Sequence, residues 1–375
     1  LEKEHNTVSN DWKPIMKEQL FGKTDTALQA LTAAAGLPAY RGRQLAEWLY
    51  RKHAVDVDAM SSLPGAWRKE LARHYTVGRH APRDVAVSRD GTRKYLFATA
   101  EGQYVESALI PDGDRRTLCL STQAGCRCGC RFCMTGRQGF QGNLGTGDIL
   151  NQYASCPERD RITNIVYMGM GEPLDNPEAV FESLRIFTAG YGYAMSPSRL
   201  TVSTIGLLPA LQAFLDQFRA HLAVSLHTPD SRQRAEWMPL ERRYPIRKVI
   251  ERLRRHDWSG QRRLTFEYAL FKDLNDSPRH ARETVRLLNG LRCRVNLIPF
   301  NPAPELPFIP SPRDTVEQFQ DILKARGITA TIRKSKGQDI AAACGLLSTQ
   351  GRSRPATEPG PNRRHRTPHI NERLQ

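Results

Sequence analysis

Long apolar runs are missing from this chain: no stretch of its 375 residues approaches the roughly 20 that a membrane-spanning helix needs. Its first residues carry no signal-peptide core, and no membrane partner is expected. Cysteine is scarce. There are eight, too few to staple a chain of this length, and six of them fall between positions 119 and 156. Negative charge is short as well, with 39 Asp and Glu against 55 Lys and Arg, a net of +16. That excess favours a polyanionic partner, and nucleic acid is the ordinary candidate, although composition does not separate RNA from DNA. What is present, 39% hydrophobic residues with 24 prolines and 27 glycines, suits a globular protein with one large catalytic domain and a small one, or two of medium size.

The clustered cysteines are the strongest local signal. In CLSTQAGCRCGCRFCMTGRQGF, Cys126, Cys130 and Cys133 stand in a C-x3-C-x2-C spacing. Three thiolates on a four-iron cubane leave one iron without a protein ligand, free to bind a reactant. Spacing alone also admits a zinc knuckle lacking a clear fourth ligand, or unrelated buried cysteines. Cys128, between the first two, adds C-x-C pairings to those alternatives. An oxygen-sensitive cluster needs a reducing compartment, so the expected address is cytoplasmic.

Residues 1–78 read mainly as helix, with apolar stripes at Ala27, Leu28, Leu31 and Ala34 and at Leu45, Trp48 and Leu49. Arg41, Arg43, Arg51, Lys52, Arg68, Lys69 and Arg73 mark a polar face that suits an anionic partner or plain solvent. Residues 83–110 switch to short strand-like runs, RKYLFATA and YVESALIP, separated by Asp-Gly and Glu-Gly turn signals. From Cys119 onward strands alternate with helices. Strands are predicted at 164–168, 200–204, 222–226, 264–270, 293–298 and 328–332, and helices at 178–188, 207–218, 245–254, 278–289 and 314–326. Six such strands predict an α/β fold with a parallel sheet, curled as an incomplete barrel or laid open. Reactive residues should then gather just after the strands, at GMGEP, STIG, SLH and Asn296 through Asn301. Residues 351–375 hold four prolines and six arginines without an apolar stripe and read as a disordered basic tail.

Taken together, the C-x3-C-x2-C loop, GMGEP, STIG, SLH, NLIPFNP and RKSKGQDIAAACG resemble the radical S-adenosylmethionine RNA methyltransferases that modify adenine carbon 2 in 23S rRNA. The bacterial group also modifies the adenine 3′ of the anticodon in tRNA. The likeness runs from about Arg41 to Gln350, with the motifs in the family's order. It implies a partial (β/α)6 radical-SAM barrel over 111–350, an RNA-contacting helical domain over 1–80, a short β-containing extension over 81–110 and the tail over 351–375. Cys126, Cys130 and Cys133 would hold a 4Fe–4S cluster, and the open iron would chelate S-adenosylmethionine. Gly171, Glu172, Ser203, Ser225, His227 and Asn301 would contact that cofactor. By the same resemblance Cys344 receives a methyl group and carries it to the base through a covalent RNA intermediate. Cys119 then resolves the adduct by forming a disulfide with Cys344, and Glu106 removes the carbon-2 proton. Partners implied are 23S rRNA, tRNA and a reducing electron donor such as flavodoxin. No assembly motif is present, and a monomer is expected. Arg127, Arg131, Arg137, Arg333, Lys334 and Lys336 would meet phosphates at the mouth, as the target base leaves its stack to reach a buried site.

One departure is CRCGC itself, because the family generally places non-cysteine residues where Cys128 stands. Cys156 and Cys293 receive no role. Three other readings stay open at this point: a carbon-8 adenine methyltransferase with the same cysteines, a non-enzymatic metal-containing RNA-binding protein, and a radical enzyme acting on protein or metabolite.

Overall fold

Leu28, Leu45, Leu49 and Leu71 recur at helical spacing, and their burial folds the first segment into a small helical unit. The computed structural model describes residues 17–260 and 262–349. In it a short parallel pair, β1 (Glu18–Gln19) with β2 (Tyr75–Thr76), brackets helices α1 (Asp25–Ala34), α2 (Tyr40–Tyr50) and α3 (Gly65–His74). Gly42 lets α1 and α2 pack backbone to backbone, since a Cβ there would lie 2.8 Å from Gln29 Cα.

Next comes a hairpin-connected run, β3 (Asp84–Val87), β4 (Arg93–Ala98) and β5 (Tyr104–Asp112), followed by β6 (Arg115–Cys119). The cysteine loop follows, with the small pair β7 (Gln123–Ala124) and β8 (Gly142–Asn143) around α4 (Met134–Gln138), and then α5 (Thr146–Ala154). Strand and helix then alternate as β9 (Asn164–Tyr167), α6 (Pro177–Thr188), β10 (Leu200–Thr204), α7 (Leu208–Gln217) and β11 (His221–Ser225). Two helices, α8 (Ser231–Trp237) and α9 (Ile246–Arg254), lead to β12 (Leu264–Leu270), α10 (Pro278–Leu288), β13 (Arg294–Pro299), α11 (Arg313–Lys324) and β14 (Thr329–Ile332).

The larger sheet runs β14-β13-β12-β11-β10-β9-β6-β5-β4-β3, parallel from β14 to β6 and antiparallel from there to β3. Its parallel part therefore has one more strand than the six expected, because β6 precedes the cysteine loop and pairs with β9 through Thr117–Cys119. The strands of the 81–110 stretch join this same sheet as its antiparallel edge. Each parallel strand is sided. Leu222, Val224, Phe266, Tyr268, Val295 and Leu297 pack into the core under the helices, while alternate residues such as Ser225, Glu267 and Ile298 turn to the inner face.

That inner face is concave. Five strand spacings of about 4.8 Å would hold β9 and β14 some 24 Å apart in a flat sheet. Yet Arg333, directly after β14, brings Nη1 within 4.0 Å of the Met168 sulfur directly after β9. The parallel strands thus curl into a partial barrel. The chain beyond β14 runs back to the β3–β4 hairpin, where Gly337 N–H donates to Asp90 at 2.8 Å and the Ser88 hydroxyl donates to Asp339 at 2.6 Å. No helix among the described residues is long and apolar enough to cross a membrane. The 351–375 tail lies outside the described residues.

Candidate active site

Four loops leaving the carboxyl ends of β9 to β11 and β13, together with the cysteine loop and the segment around Cys344, close over one cavity of about 180 Å³. Cys126, Cys130, Cys133, Gly171, Glu172, Ser203, Ser225, His227, Asn301 and Cys344 all line it. Cys119 and Glu106 do not.

The three cysteines of the loop face the same space and one another. Burial raises the thiols of Cys130 and Cys133, and each of these is pushed further by a neighbouring cysteine of the set. Cys126 moves the other way, first because the Cys128 thiol donates to it, with the Cys128 N–H 3.4 Å from its sulfur as a further donor. Cys128 is therefore a buried hydrogen-bonding neighbour on the cavity wall. Among the described residues no three His, Cys, Asp or Glu side chains converge on a point where one ion would sit. A cubane suits this donor set better than zinc, since each thiolate would bind a different iron. An apolar shell of Phe132, Trp237, Phe271, Phe300 and Phe308 surrounds the loop, with Phe132 packed edge-on against His227 at 4.8 Å. Such a shell limits water at a metal centre.

Glu172 is the second conspicuous group. It is 6% exposed, and its carboxylate accepts from Ile205 N–H at 3.0 Å and Leu174 N–H at 3.1 Å. No cation pairs with it among the described residues, and burial pushes its carboxyl up to about 7. A buried carboxylate short of a countercharge, facing a cavity, fits a ligand that brings an amine.

The glycines beside it serve the chain first. A Cβ on Gly169 would meet Leu120 O at 2.7 Å, and one on Gly171, whose φ is +95°, would meet Gln123 Cβ at 2.6 Å. GMGEP can therefore lie flat against the strand that leads into the cysteine loop.

His227 is buried and neutral. Its Nδ1 accepts from Ala269 N–H at 2.9 Å, which fixes the proton on Nε2, and burial lowers its basicity to about 3. The backbone here is left-handed, φ +58°, and is held by Asn275 Nδ2 donating to the His227 carbonyl at 2.6 Å. Ser203 and Ser225 present hydroxyls from the inner faces of β10 and β11. Asn301 is occupied: it accepts from Gln338 at 2.7 Å and donates to the Cys344 carbonyl at 3.3 Å.

Cys344 is placed by a strap over residues 344–349. Met134 N–H donates to Gly345 O at 2.8 Å and the Thr135 hydroxyl to Leu347 O at 2.6 Å, both from the helix that begins right after Cys133. Gln138 adds bonds to Ser348 and Thr349 at 2.9 Å. Cys119, at the end of β6, is buried beside Val166 and Ala342, and burial, then Cys344, push its thiol up to about 12. Arg333 is a cation that feels both cysteines; their negative forms and Glu267, 3.8 Å away, raise its affinity for its proton, Cys344 most. Arg333 lines the main cavity and also, with Lys334 and Lys336, a smaller one beside Cys344.

Glu106 sits outside the cavity on β5, 1% exposed. Its Oε1 is 3.1 Å from Lys94 Nζ and its Oε2 accepts from Ser348 N–H at 3.1 Å. Of the other proposed mouth residues, Arg127 pairs with Asp175 at 3.1 Å and stacks on Phe140 at 3.6 Å, and Arg131 pairs with Glu236 at 3.3 Å.

Sequence reasoning passed over Arg234 on α8. It is fully buried, pairs with Glu241, and donates to the carbonyls of Ile205 at 3.0 Å, Ser225 at 2.8 Å and Leu226 at 3.2 Å. One guanidinium thus fixes the loops after β10 and β11. Within SRQRAEW, Arg234 gives no signal of this, because nothing local distinguishes it from Arg232 or any other solvated helix charge.

Comparison with known proteins agrees with this architecture. Residues 120–288 match the Radical SAM superfamily, and residues 18–77 match the ribosomal RNA large subunit methyltransferase N-terminal domain. A Parabacteroides distasonis protein described as a probable dual-specificity RNA methyltransferase RlmN is 49% identical over 333 residues, 89% of this chain and 97% of that protein. The dual-specificity RNA methyltransferase RlmN of Syntrophus aciditrophicus is 42% identical over 325 residues, 86% of this chain and 93% of that protein. Among solved structures, a radical SAM methyltransferase from Sphaerobacter thermophilus superposes with a TM-score of 0.83 at 44% identity, covering 88% of this chain and 99% of that one.

Proposed function

The chain belongs to the RlmN family of radical S-adenosylmethionine RNA methyltransferases, and from that premise we propose that it methylates carbon 2 of an adenine in 23S rRNA and of the adenine 3′ of the anticodon in tRNA. When bound at the cysteine loop, a 4Fe–4S cluster reduces S-adenosylmethionine to a radical able to break an unactivated carbon–hydrogen bond, which acid–base side chains cannot do. Cys126, Cys130 and Cys133 hold the cluster. Glu172 takes the cofactor's amine, and Ser203, Ser225, the Nε2–H of His227, Gly171 and Asn301 orient the rest. An electron donor of the flavodoxin kind supplies the electron.

Cys344 would accept a methyl group on its sulfur from one S-adenosylmethionine, and the radical derived from a second would remove one hydrogen atom from that methyl, so that the methylene left on sulfur can join carbon 2 of the base. With the carbon joined to the adenine, one electron would pass from the adduct back to the oxidised cluster and Glu106 would take the ring proton, giving up its hydrogen bond from Ser348. The Cys119 thiolate then attacks the Cys344 sulfur. A disulfide forms, the sulfur–carbon bond breaks, and the carbon takes a proton to become the product methyl; external thiol resets the pair. Arg333 favours the thiolate form of Cys119, whose burial opposes ionisation.

The single observation that carries this reading is that the three loop cysteines, the unpaired Glu172 carboxylate and Cys344 line one cavity. Anaerobic turnover with 23S rRNA and tRNA, followed by mass analysis of the modified base and of Cys344, tests it. 2-Methyladenine in both RNAs is expected. 8-Methyladenine, or methyl transfer to a peptide and not to RNA, would overturn it.

A further inference from the structure

The opposite end of the barrel carries a group of charges that the reaction does not use. At the amino ends of β12, β13 and β14 a cavity of about 400 Å³ is lined by Arg262, Arg263, Arg292 and Arg294, with Trp258 and Thr329. Two more basic residues, one of them neutral, stand at the amino ends of neighbouring strands. His221, at the start of β11, holds Arg263 N–H on its Nδ1 at 2.9 Å, so the neutral ring offers Nε2–H as a donor. At the start of β6, Arg115 feels, after burial, first Arg333 and more weakly Arg263.

Counter-ions are missing. Among the described residues none of Arg115, Arg262, Arg263, Arg292 and Arg294 forms an ion pair, and the carboxylate that acts on Arg115 is Asp112 on the strand end before it. Arg262 is 9% exposed and keeps a buried Nε without a partner, although its Nη1 reaches Leu215 O at 3.3 Å and His256 Nε2 at 3.0 Å. The crowding is unfavourable: after burial, Arg263 and then Arg115 disfavour a second proton on His221, and burial followed by Arg219 lowers Arg262 to about 10. Like charges gathered round one cavity destabilise a fold unless an anion sits among them.

We propose that the barrel floor is a binding site for clustered phosphoryl groups, held by Arg263, Arg292 and Arg294 with Arg262 at the back of the cavity. Several planar guanidinium forks around one space suit a tetrahedral oxyanion of charge two or more better than a single carboxylate, which one fork satisfies. The site lies at the end of the barrel away from the cysteine loop, with only Cys293 beside it, and is independent of the methyl-transfer chemistry. Free diphosphate and a nucleic-acid backbone offer the same chemistry.

Thermal unfolding of the cluster-loaded protein with added inorganic pyrophosphate tests the proposal. Wild type should gain melting temperature with pyrophosphate, less so as salt rises. Arg263→Ala/Arg294→Ala should melt at or above the wild-type temperature without ligand, because repulsion is relieved, and should bind pyrophosphate at least about tenfold more weakly. The milder Arg263→Gln checks the result should the double variant fail to fold. An RNA oligonucleotide without adenine, which leaves the catalytic cavity unused, separates the sources. If it displaces pyrophosphate the occupant is a backbone, and if it does not the occupant is a free phosphate compound. Equal pyrophosphate shifts in wild type and both variants would overturn the site.

Discussion

The two ends of the barrel use the same alternation of strand side chains for opposite electrostatic purposes. At the carboxyl ends, thiols and the buried carboxylates Glu172 and Glu267 face the cavity, with Arg333 the cation among them. At the amino ends arginines crowd a cavity that no carboxylate lines. Geometry is shared; residue type alone makes one end ready for a cationic cofactor and thiol chemistry and the other for anions. The difference teaches that the fold provides a ring of inward positions at both mouths, and that a site must be argued from what occupies them.

Breaking the contrast at the carboxyl end should have the largest effects. Cys344→Ala is expected to abolish RNA methylation while iron and sulfide content stay at the wild-type level; unchanged product would remove Cys344 from the reaction. Cys119→Ala is expected to stop multiple turnover and leave a covalent protein–RNA species, seen as a shifted band that nuclease shortens. Arg234→Met leaves Glu241 charged and buried without its partner, so a loss of about 3–5 kcal/mol in unfolding free energy is expected from chemical denaturation. The loops after β10 and β11 lose their anchor with it, so S-adenosylmethionine affinity should fall too.

Smaller, but more diagnostic, is the pH response of Glu172. Its folded carboxyl titrates near 7, above its ordinary value, so the folded state holds an extra proton in between. Stability from this group is therefore complete at low pH and is lost as pH rises through about 7. An incoming amine favours the ionised form, so S-adenosylmethionine affinity should rise with pH up to about 7, approaching tenfold per pH unit, and then level off. Glu172→Gln should flatten that profile in calorimetric titration and bind more weakly at neutral pH; a profile unchanged by the substitution would exclude Glu172 as the amine's partner.

Much of this was readable from the chain. The runs NIVYM, LAVSL and LTFEYAL are nearly continuous apolar stretches, as strands covered on both faces must be, and their boundaries fall within a residue or two of those in the structure. RRTLC hid β6, because two arginines at its solvent end mask a strand whose Leu118 and Cys119 are buried. Arg333 was grouped with Lys334 and Lys336 by closeness in sequence, and the three do line one small cavity beside Cys344, but only Arg333 also reaches the larger one. Glu106 reads locally as an ordinary strand polar residue, and only the return of the chain at Ser348 buries it. Arg234 could not be read at all, since its three carbonyl partners come from two loops that only tertiary folding brings together.

The strap that begins at Cys344 is tied to the helix immediately following Cys133. On the proposed roles of these cysteines, the turn that would hold the iron and the seat of Cys344 share these hydrogen bonds, so disturbing one is expected to disturb the other. Iron shortage should consequently yield idle protein, not a pool of enzyme that consumes its methyl donor without delivering the carbon.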